Sequence, residues 1–193
     1  MLIRVSIGRL WLRLAGWQFE GALPVDRRYV LIAAPHTSNW DFVHMVAMAW
    51  SLGVPLRWMG KASLFVFPFG GLLRALGGIA IRRDQRANLV EQSVAQFAQS
   101  QDLALAVPAE GTRARGTTWR SGFYHNARLA EVPVMLGYLD YARKRGGAGF
   151  ALRPSDDVRA DMDRVRAFYA DKVGRHPANF TVPRLAEESE GAP

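Results

Sequence analysis

Residues 29–41 read YVLIAAPHTSNWD, a short apolar run followed by a polar turn. The first six of these residues stand between Arg28 and Pro35 without a charge, which is typical of a strand buried on both faces of a sheet. The next residues, 42–52, are mostly apolar and end at Gly53, as a helix does. The stretch therefore predicts a strand, a turn and a helix in succession, the repeating unit of a parallel α/β sheet.

The same alternation continues along the chain. Further strands are predicted at 56–59, 78–81, 103–107 and 133–138, and further helices at 69–76, 87–100 and 121–130. After these come a basic, glycine-rich turn at 143–149, a short edge strand at 150–152 and a helix at 161–173. We therefore predict an α/β fold: a single domain with a mostly parallel sheet flanked by helices.

Residues 1–23 are predicted to form a short N-terminal amphipathic helix. Arginines at positions 4, 9 and 13 interrupt an otherwise apolar segment, the mixture expected of a helix that lies in a bilayer interface. Packing of this helix on the core of the domain is the alternative. No stretch approaches the ~20 apolar residues that a membrane-spanning helix needs. Residues 24–185 would form the domain itself, and residues 186–193 a disordered tail.

Composition narrows the function classes. The chain of 193 residues has no cysteine, which excludes a disulfide framework, a thiolate zinc site and a cysteine nucleophile. Its net charge is +8, and the excess lies in residues 1–130, with 15 Lys/Arg against 7 Asp/Glu. That part is expected to face an anionic partner, and nucleic acid, phospholipid head groups or a phosphorylated cofactor would each fit.

His36 and Asp41 are candidates for acid–base chemistry. His36 follows the first buried strand, where parallel sheets place their ligands, and Asp41 begins the following helix. A carboxylate that accepts the hydrogen of one imidazole nitrogen leaves the other nitrogen free to take a proton. The alternative is structural: Ser38 or Asn39 caps the helix, Asp41 favours its dipole, and His36 is an ordinary loop residue.

A second polar turn, PAEGTR at residues 108–113, follows the predicted strand 103–107. Gly111 would let the backbone approach a ligand, the Thr112 hydroxyl could donate a hydrogen bond, and Arg113 offers a bidentate fork for phosphate. A tight turn with a solvated arginine is the alternative. Neither turn offers an obvious nucleophile, so the proton would come from a substrate hydroxyl or amine, which favours direct transfer over a covalent enzyme intermediate.

These motifs resemble those of the glycerolipid acyltransferases. His36 and Asp41 match the HxxxxD signature, and residues 110–113 match the EGTR block. Between them, GGIAIRR at residues 77–83 resembles the G-x-I-x-[IV]-x-R block, and VPV at residues 132–134 resembles a fourth block. The chain is similar to a compact bacterial member of the 1-acylglycerol-3-phosphate acyltransferase-like group, in which residues 24–185 would be the acyltransferase domain.

The resemblance implies a role for each matching residue. His36 would deprotonate an acceptor hydroxyl, which attacks the thioester of acyl-CoA or acyl-carrier protein, and Asp41 would hold His36 in place. The residues implied to bind the acceptor's phosphate or to order its loop are Lys61, Arg83, Glu110, Gly111, Thr112 and Arg113. Arg120 stands in a similar position, and a solvated surface position is the alternative for Lys61. Departures from the family pattern at Pro35 and at Pro108-Ala109 leave the acceptor open.

The resemblance also implies partners and location. A lysophospholipid acceptor, a thioester donor and an anionic membrane surface are expected, with no metal, no cofactor beyond the co-substrate and no nucleic acid. The enzyme would work on the cytoplasmic face of the membrane, peripherally attached through residues 1–23. Two other functions stay open: an acyltransferase or thioester hydrolase of soluble molecules, and a non-enzymatic basic module that binds membranes or nucleic acid. We interpret His44, His125 and His176 as structural, and core packing as the default for the tryptophans.

Overall fold

The strand predicted from residues 29–34 lies at the centre of a seven-stranded sheet. The computed structural model describes residues 2–81 and 87–189. The strands are β1 (Gln18–Gly21), β2 (Arg28–Ala34), β3 (Leu56–Lys61), β4 (Gly78–Ile81), β5 (Leu103–Val107), β6 (Val134–Asp140) and β7 (Arg145–Leu152). The α-helices are α1 (Leu2–Ala15), α2 (Trp40–Ser51), α3 (Gly70–Ala75), α4 (Ala87–Gln99), α5 (Gly122–Leu129) and α6 (Val158–Tyr169).

The sheet is mostly parallel, as predicted. Its strand order is β1-β7-β6-β2-β5-β3-β4, and the five strands from β6 to β4 all run in the same direction. β7 pairs antiparallel with β6, and β1 pairs parallel with β7, so these two strands run the opposite way. The predicted fold class, a single α/β domain with helices on the sheet, is confirmed.

The glycine-rich segment 143–149 is not a turn, and this prediction is wrong. Most of it belongs to β7, which lies between β6 and β1, and β1 itself was not predicted. Glycine is needed where β7 pairs with β1, because a Cβ at Gly147 would lie only 1.9 Å from the carbonyl oxygen of Glu20 in β1. The last helix also begins earlier than predicted, at Val158, because the Asp157 side chain accepts a hydrogen bond from the backbone N–H of Ala160.

The two faces of the sheet are covered unequally. On one face, α4, α5 and α6 pack against β2, β5 and β6 and form the larger core, which includes fully buried aromatic and methionine side chains. On the other face, α2 packs against the sheet, and α1 packs mainly on α2 rather than on the sheet. The second face is not completely filled, and a cavity lies between it and α2.

Helix α1 is shorter than the predicted helix 1–23, because residues 18–21 pair with β7 as strand β1. It packs on α2, as the second alternative predicted, and its contact with a membrane stays a prediction. Gly8 allows a close crossing with α2, since a Cβ there would lie 2.5 Å from the carbonyl oxygen of Ala47, and Leu12 is buried beside it. The outer face is apolar and exposed and consists of Leu2, Ile3, Ile7, Leu10 and Leu14. Among the described residues, no helix has the length and apolar character needed to cross a bilayer. In the segment predicted as a tail, Ala186–Ser189 form a 3-10 helix, and residues 190–193 lie outside the described part.

Candidate functional site

The polar turns singled out in the sequence meet at one edge of the sheet. His36 follows β2, the EGTR residues follow the neighbouring strand β5, and Lys61 ends β3, the next strand along. Because these strands are parallel and neighbours lie roughly 5 Å apart, their carboxyl ends form a continuous row. Ligands of such sheets bind beyond this edge. Arg83, which the resemblance implied at the same site, lies outside the described residues.

The predicted meeting of His36 and Asp41 is confirmed. The Nδ1 atom of His36 lies 3.4 Å from Oδ2 of Asp41. This distance is slightly longer than an ordinary hydrogen bond. With Nδ1 turned to the carboxylate, Nε2 is the ring nitrogen left to exchange a proton with a ligand.

Asp41 is buried, and its carboxylate is held from several sides. Oδ2 accepts hydrogen bonds from the backbone N–H groups of Thr37 and Ser38, each at 2.8 Å. Oδ1 accepts a hydrogen bond of 2.6 Å from the hydroxyl of Tyr141. Burial acts to raise the pKa of Asp41, but the nearby His36 and the bonds from Tyr141 and Ser38 outweigh it and hold the pKa below its ordinary value. Asp41 is therefore ionised at neutral pH.

The structural alternative for this turn holds in part. Asn39 is the N-cap residue of α2, but its side chain makes no capping bond, and the Ser38 hydroxyl accepts from the N–H of Trp40 instead. Asp41 shapes the turn through its bonds to the backbone and also faces His36. A single carboxylate therefore fixes both the loop and the ring.

Glu110 joins the two polar turns from within the protein. Its Oε1 accepts a hydrogen bond of 2.6 Å from the backbone N–H of His36, and its Oε2 accepts one of 3.2 Å from that of Thr181. The residue is 2% exposed. Burial raises its pKa, and the two backbone bonds oppose that shift. Glu110 thus connects the loop after β5 with the His36 loop and with the C-terminal segment.

The other EGTR residues face outward. Gly111 has a φ of 70°, and a Cβ there would lie 2.7 Å from the Cγ atom of Arg120, so glycine suits this position on both counts. Thr112 is exposed, and its hydroxyl accepts a hydrogen bond from the N–H of Ala114. Arg113 is exposed too and borders the cavity beneath α2. Lys61 is exposed at the end of its strand.

The cavity has a volume of about 500 Å³, within the range of roughly 300–1,000 Å³ that is usual for small-molecule sites. Most of its wall is apolar and comes from α2 and from the adjoining sheet face, including Phe42, Met45, Leu31 and Met135. His36, Asp41 and Arg113 also line it, from the carboxyl ends of β2 and β5. An apolar chamber with a base and a cation at its border fits a ligand with an apolar chain and an anionic group.

Two residues near Asp41 were not predicted from the sequence. Tyr141 directly follows β6, so the rule that ligands gather at the carboxyl ends of strands could have indicated it. The guanidinium of Arg175 lies 5.5 Å from the centre of the Trp40 ring, and its positive charge acts to lower the pKa of Tyr141. Arg175 belongs to the segment after α6, and no local pattern connects that segment with the site.

The histidines interpreted as structural lie outside the cavity wall. His44 is buried, and its Nδ1 accepts a hydrogen bond from the indole N–H of Trp11 in α1. Burial lowers the pKa of His44. Trp58 lines the cavity, whereas Trp119 belongs to the core on the other face of the sheet. Across residues 2–81 and 87–189, no group of three His, Asp or Glu side chains is placed to hold a metal ion.

Comparison with known proteins assigns this fold and site to a class. The model of the Acyltransferase family matches residues 17–135, more than half of the chain. The chain therefore belongs to the Acyltransferase family, and the resemblance to the glycerolipid acyltransferases is confirmed.

Individual relatives agree with this assignment. The chain is 30% identical over 137 residues to a 1-acyl-sn-glycerol-3-phosphate acyltransferase of Haemophilus influenzae, a match that covers 66% of this chain and 55% of the relative. The chain thus spans about half the length of that curated relative. The fold is similar to the crystal structure of the 1-acyl-sn-glycerophosphate acyltransferase PlsC of Thermotoga maritima, with a TM-score of 0.58 and 14% identity. That similarity covers 84% of this chain and 73% of the other.

Replacement of Tyr141 by Phe tests whether this tyrosine adjusts the His36–Asp41 pair. Without the hydroxyl bond, Asp41 loses one of the contacts that lower its pKa, so its carboxylate takes up a proton at a higher pH than in the parent. We expect the acid limb of the pH profile of kcat/KM for acyl transfer to move to higher pH. We also expect kcat to fall roughly tenfold, because Asp41 is then held by fewer contacts and orients His36 less firmly.

The matched control is Tyr124→Phe. Tyr124 donates a hydrogen bond of 2.8 Å to Asp161 in the core on the other face of the sheet, so this variant loses a similar tyrosine–carboxylate bond far from His36. It should lower the melting temperature without moving the pH profile. Identical pH profiles for Tyr141→Phe and the parent would refute the role of Tyr141.

Proposed function

We propose that the chain transfers a fatty acyl group from a thioester donor, acyl-CoA or acyl-carrier protein, to the hydroxyl of a lysophospholipid such as 1-acylglycerol-3-phosphate. The observation that carries this proposal is the position of His36 and Asp41 on the wall of an apolar cavity that Arg113 also lines. The match to the Acyltransferase family and the likeness to a 1-acyl-sn-glycerol-3-phosphate acyltransferase support the choice of reaction.

In this reaction His36 acts as a general base. Its Nε2 takes the proton of the acceptor hydroxyl while the oxygen attacks the thioester carbonyl, and Asp41 stabilises the imidazolium that forms. The tetrahedral intermediate then breaks its carbon–sulfur bond, and the thiolate receives the proton from His36. The products are an ester and a free thiol, and the enzyme returns to its starting state without a metal or a bound cofactor.

The acceptor's phosphate would bind the row of cations and polar groups beside His36. Arg113 is the first candidate, since it borders the cavity and its planar guanidinium can donate two parallel hydrogen bonds. Lys61 ends β3 two strands from β2, about 10 Å away in the sheet. Gly111 and Thr112 would contribute backbone and hydroxyl donors, and Arg83 is proposed on the resemblance alone.

The apolar part of the substrates would occupy the cavity beneath α2. Its wall offers aromatic and methionine side chains, which accommodate a flexible hydrocarbon chain. We also propose that the chain attaches peripherally to the cytoplasmic face of an anionic membrane through α1, whose outer face exposes Leu2, Ile3 and Leu14. The arginines of the same helix would pair with anionic head groups.

His36→Ala and Asp41→Asn test the proposed base and its partner. We expect His36→Ala to lower the transfer rate by ~10²- to 10⁴-fold, the usual contribution of general-base catalysis. Asp41→Asn should lower the rate as well, although an amide can still accept from the Thr37 and Ser38 N–H groups and donate to the Tyr141 oxygen. Purified variants are assayed for ester formation and checked for folding by thermal unfolding.

The control for this experiment is His125→Ala, because His125 is a half-exposed histidine on α5 that does not line the cavity. It should keep the parent rate. Folded His36→Ala protein that transfers acyl groups as fast as the parent would disprove the proposed mechanism.

Arg113→Ala tests the phosphate site. We expect KM for a phosphate-bearing lysolipid to rise roughly 10- to 100-fold with a smaller change in kcat, since a hydrogen bond to a charged group contributes about 1.5–3 kcal/mol. KM for a monoacylglycerol, which has no phosphate, should not change. Arg159→Ala, an exposed arginine in the first turn of α6, is the matched control. An unchanged KM for the lysolipid in Arg113→Ala would show that Arg113 does not bind the phosphate.

Mass spectrometry of the products identifies the substrates. The protein is incubated with a mixture of acyl-CoA and acyl-carrier-protein donors and with a panel of lysolipids. The proposal predicts a new diacyl phospholipid that depends on His36. Release of free fatty acid without any acceptor would favour a thioester hydrolase instead.

A further inference from the structure

The segment between β3 and β4 exposes an unusual set of large apolar side chains. We call residues 62–73 the aromatic loop. The exposed fractions are 95% for Phe67, 66% for Phe69, 61% for Val66, 58% for Leu72 and 54% for Leu64. Folded proteins rarely expose so many large apolar side chains within one short segment unless the segment binds something.

The exposure is built into the fold of the loop. Phe65 points inward, is 5% exposed and packs near Trp58 with 5.7 Å between ring centres. The backbone N–H of Gly70 donates to the carbonyl of Val66, which closes a turn around Phe67, and the N–H of Phe65 donates to the carbonyl of Ala62 just before it. With Phe65 anchored inside, the neighbouring Val66 and Phe67 are directed to solvent. The buried Phe65 and the backbone hydrogen bonds therefore hold the loop in a fixed conformation in which these apolar side chains are exposed.

The charge around the loop favours an anionic surface as its occupant. Residues 42–81, all of which the structure describes, contain three Arg or Lys (Arg57, Lys61 and Arg74) and no Asp or Glu. Lys61 and Arg74 stand on either side of the loop, and both belong to the described part of the chain. A second copy of the protein would bring these cations face to face in a symmetric contact, which like charges disfavour. Anionic lipid head groups attract such residues instead.

The loop is also continuous with the cavity. Leu64 near its start and Leu73 at its end both line the cavity beneath α2. A bilayer that receives Phe67 and Phe69 would bring this part of the cavity wall to the membrane surface. An acyl chain could then move from the lipid phase to the cavity along apolar side chains with little exposure to water.

We propose that the aromatic loop inserts into an anionic bilayer leaflet, as a membrane contact separate from α1, and brings the adjoining cavity wall to the lipid. The insertion itself does not depend on the proposed function. Only its purpose, the supply of acyl chains to His36, rests on that function.

Binding to vesicles tests the insertion without any assay of activity. The full chain is mixed with vesicles of phosphatidylcholine alone or of phosphatidylcholine and phosphatidylglycerol in equal parts, and the bound fraction is measured by flotation. We expect Phe67→Ser/Phe69→Ser to weaken binding to the mixed vesicles about tenfold or more, because the two aromatic side chains that would enter the bilayer are lost.

The matched control is Val25→Ser/Leu129→Ser, which removes two exposed apolar side chains at the amino edge of the sheet, just before β2 and β6. It should bind like the parent. All four positions are exposed, so neither double variant loses core packing, and thermal unfolding verifies that both fold. Parent-like vesicle binding by Phe67→Ser/Phe69→Ser would overturn the proposal.

A site-specific label tests the depth of insertion. Because the chain has no cysteine, Phe67→Cys and Leu129→Cys each provide a unique position for an environment-sensitive fluorophore. The label at position 67 should shift to the blue on the mixed vesicles, and the label at position 129 should not. A blue shift at position 67 that appears without vesicles, as protein concentration rises, would show contact between two copies and contradict the proposal.

Activity on two kinds of substrate separates this inference from the proposed function. Phe67→Ser/Phe69→Ser should keep the parent rate on short-chain substrates dissolved as monomers and lose rate on long-chain substrates held in vesicles. A protein that binds vesicles through the loop but transfers no acyl group would retain the membrane contact and refute the proposed function. Equal loss of rate on both kinds of substrate would refute the role of the loop in substrate supply.

Discussion

The site depends on a buried negative charge that must be fully paired. Asp41 is 4% exposed, and an ionised carboxylate in such a place is stable only when hydrogen bonds and nearby charge replace the lost water. Its oxygens accept from Thr37, Ser38 and Tyr141, which ties the turn after β2 to the end of β6. The Nδ1 atom of His36 faces the same carboxylate. The requirement to pair this charge therefore also orients the proposed base.

The unequal covering of the sheet explains why the site has an apolar chamber. Three helices fill one face with a dense core, whereas the other face has α2 against it and a cavity beneath that helix. The dense face supports the strands whose carboxyl ends carry His36 and Arg113. The looser face offers volume for an apolar chain next to them. The packed core and the cavity thus lie on opposite faces of the same strands.

Local signals in the sequence predicted much of the fold and part of the site. The bounds of β4 and β5 agree with their apolar runs, and His36 and Asp41 meet as their five-residue separation suggested. Long-range features did not follow from such signals. The hydrogen bond from Tyr141 to Asp41 joins residues 100 apart, and the glycines of β7 make sense only beside β1. The sequence also cannot distinguish Phe65 from Phe67, since both are phenylalanines in the same segment. Only the tertiary structure shows that Phe65 is buried and Phe67 exposed.

The tautomer of His36 tests the central claim most directly. Nitrogen NMR of the histidine rings distinguishes a neutral imidazole with its hydrogen on Nδ1 from one with its hydrogen on Nε2. If Asp41 orients the ring, neutral His36 carries the hydrogen on Nδ1 and leaves Nε2 unprotonated. A neutral His36 with its hydrogen on Nε2 would contradict the account, because that nitrogen could not accept a proton from a substrate.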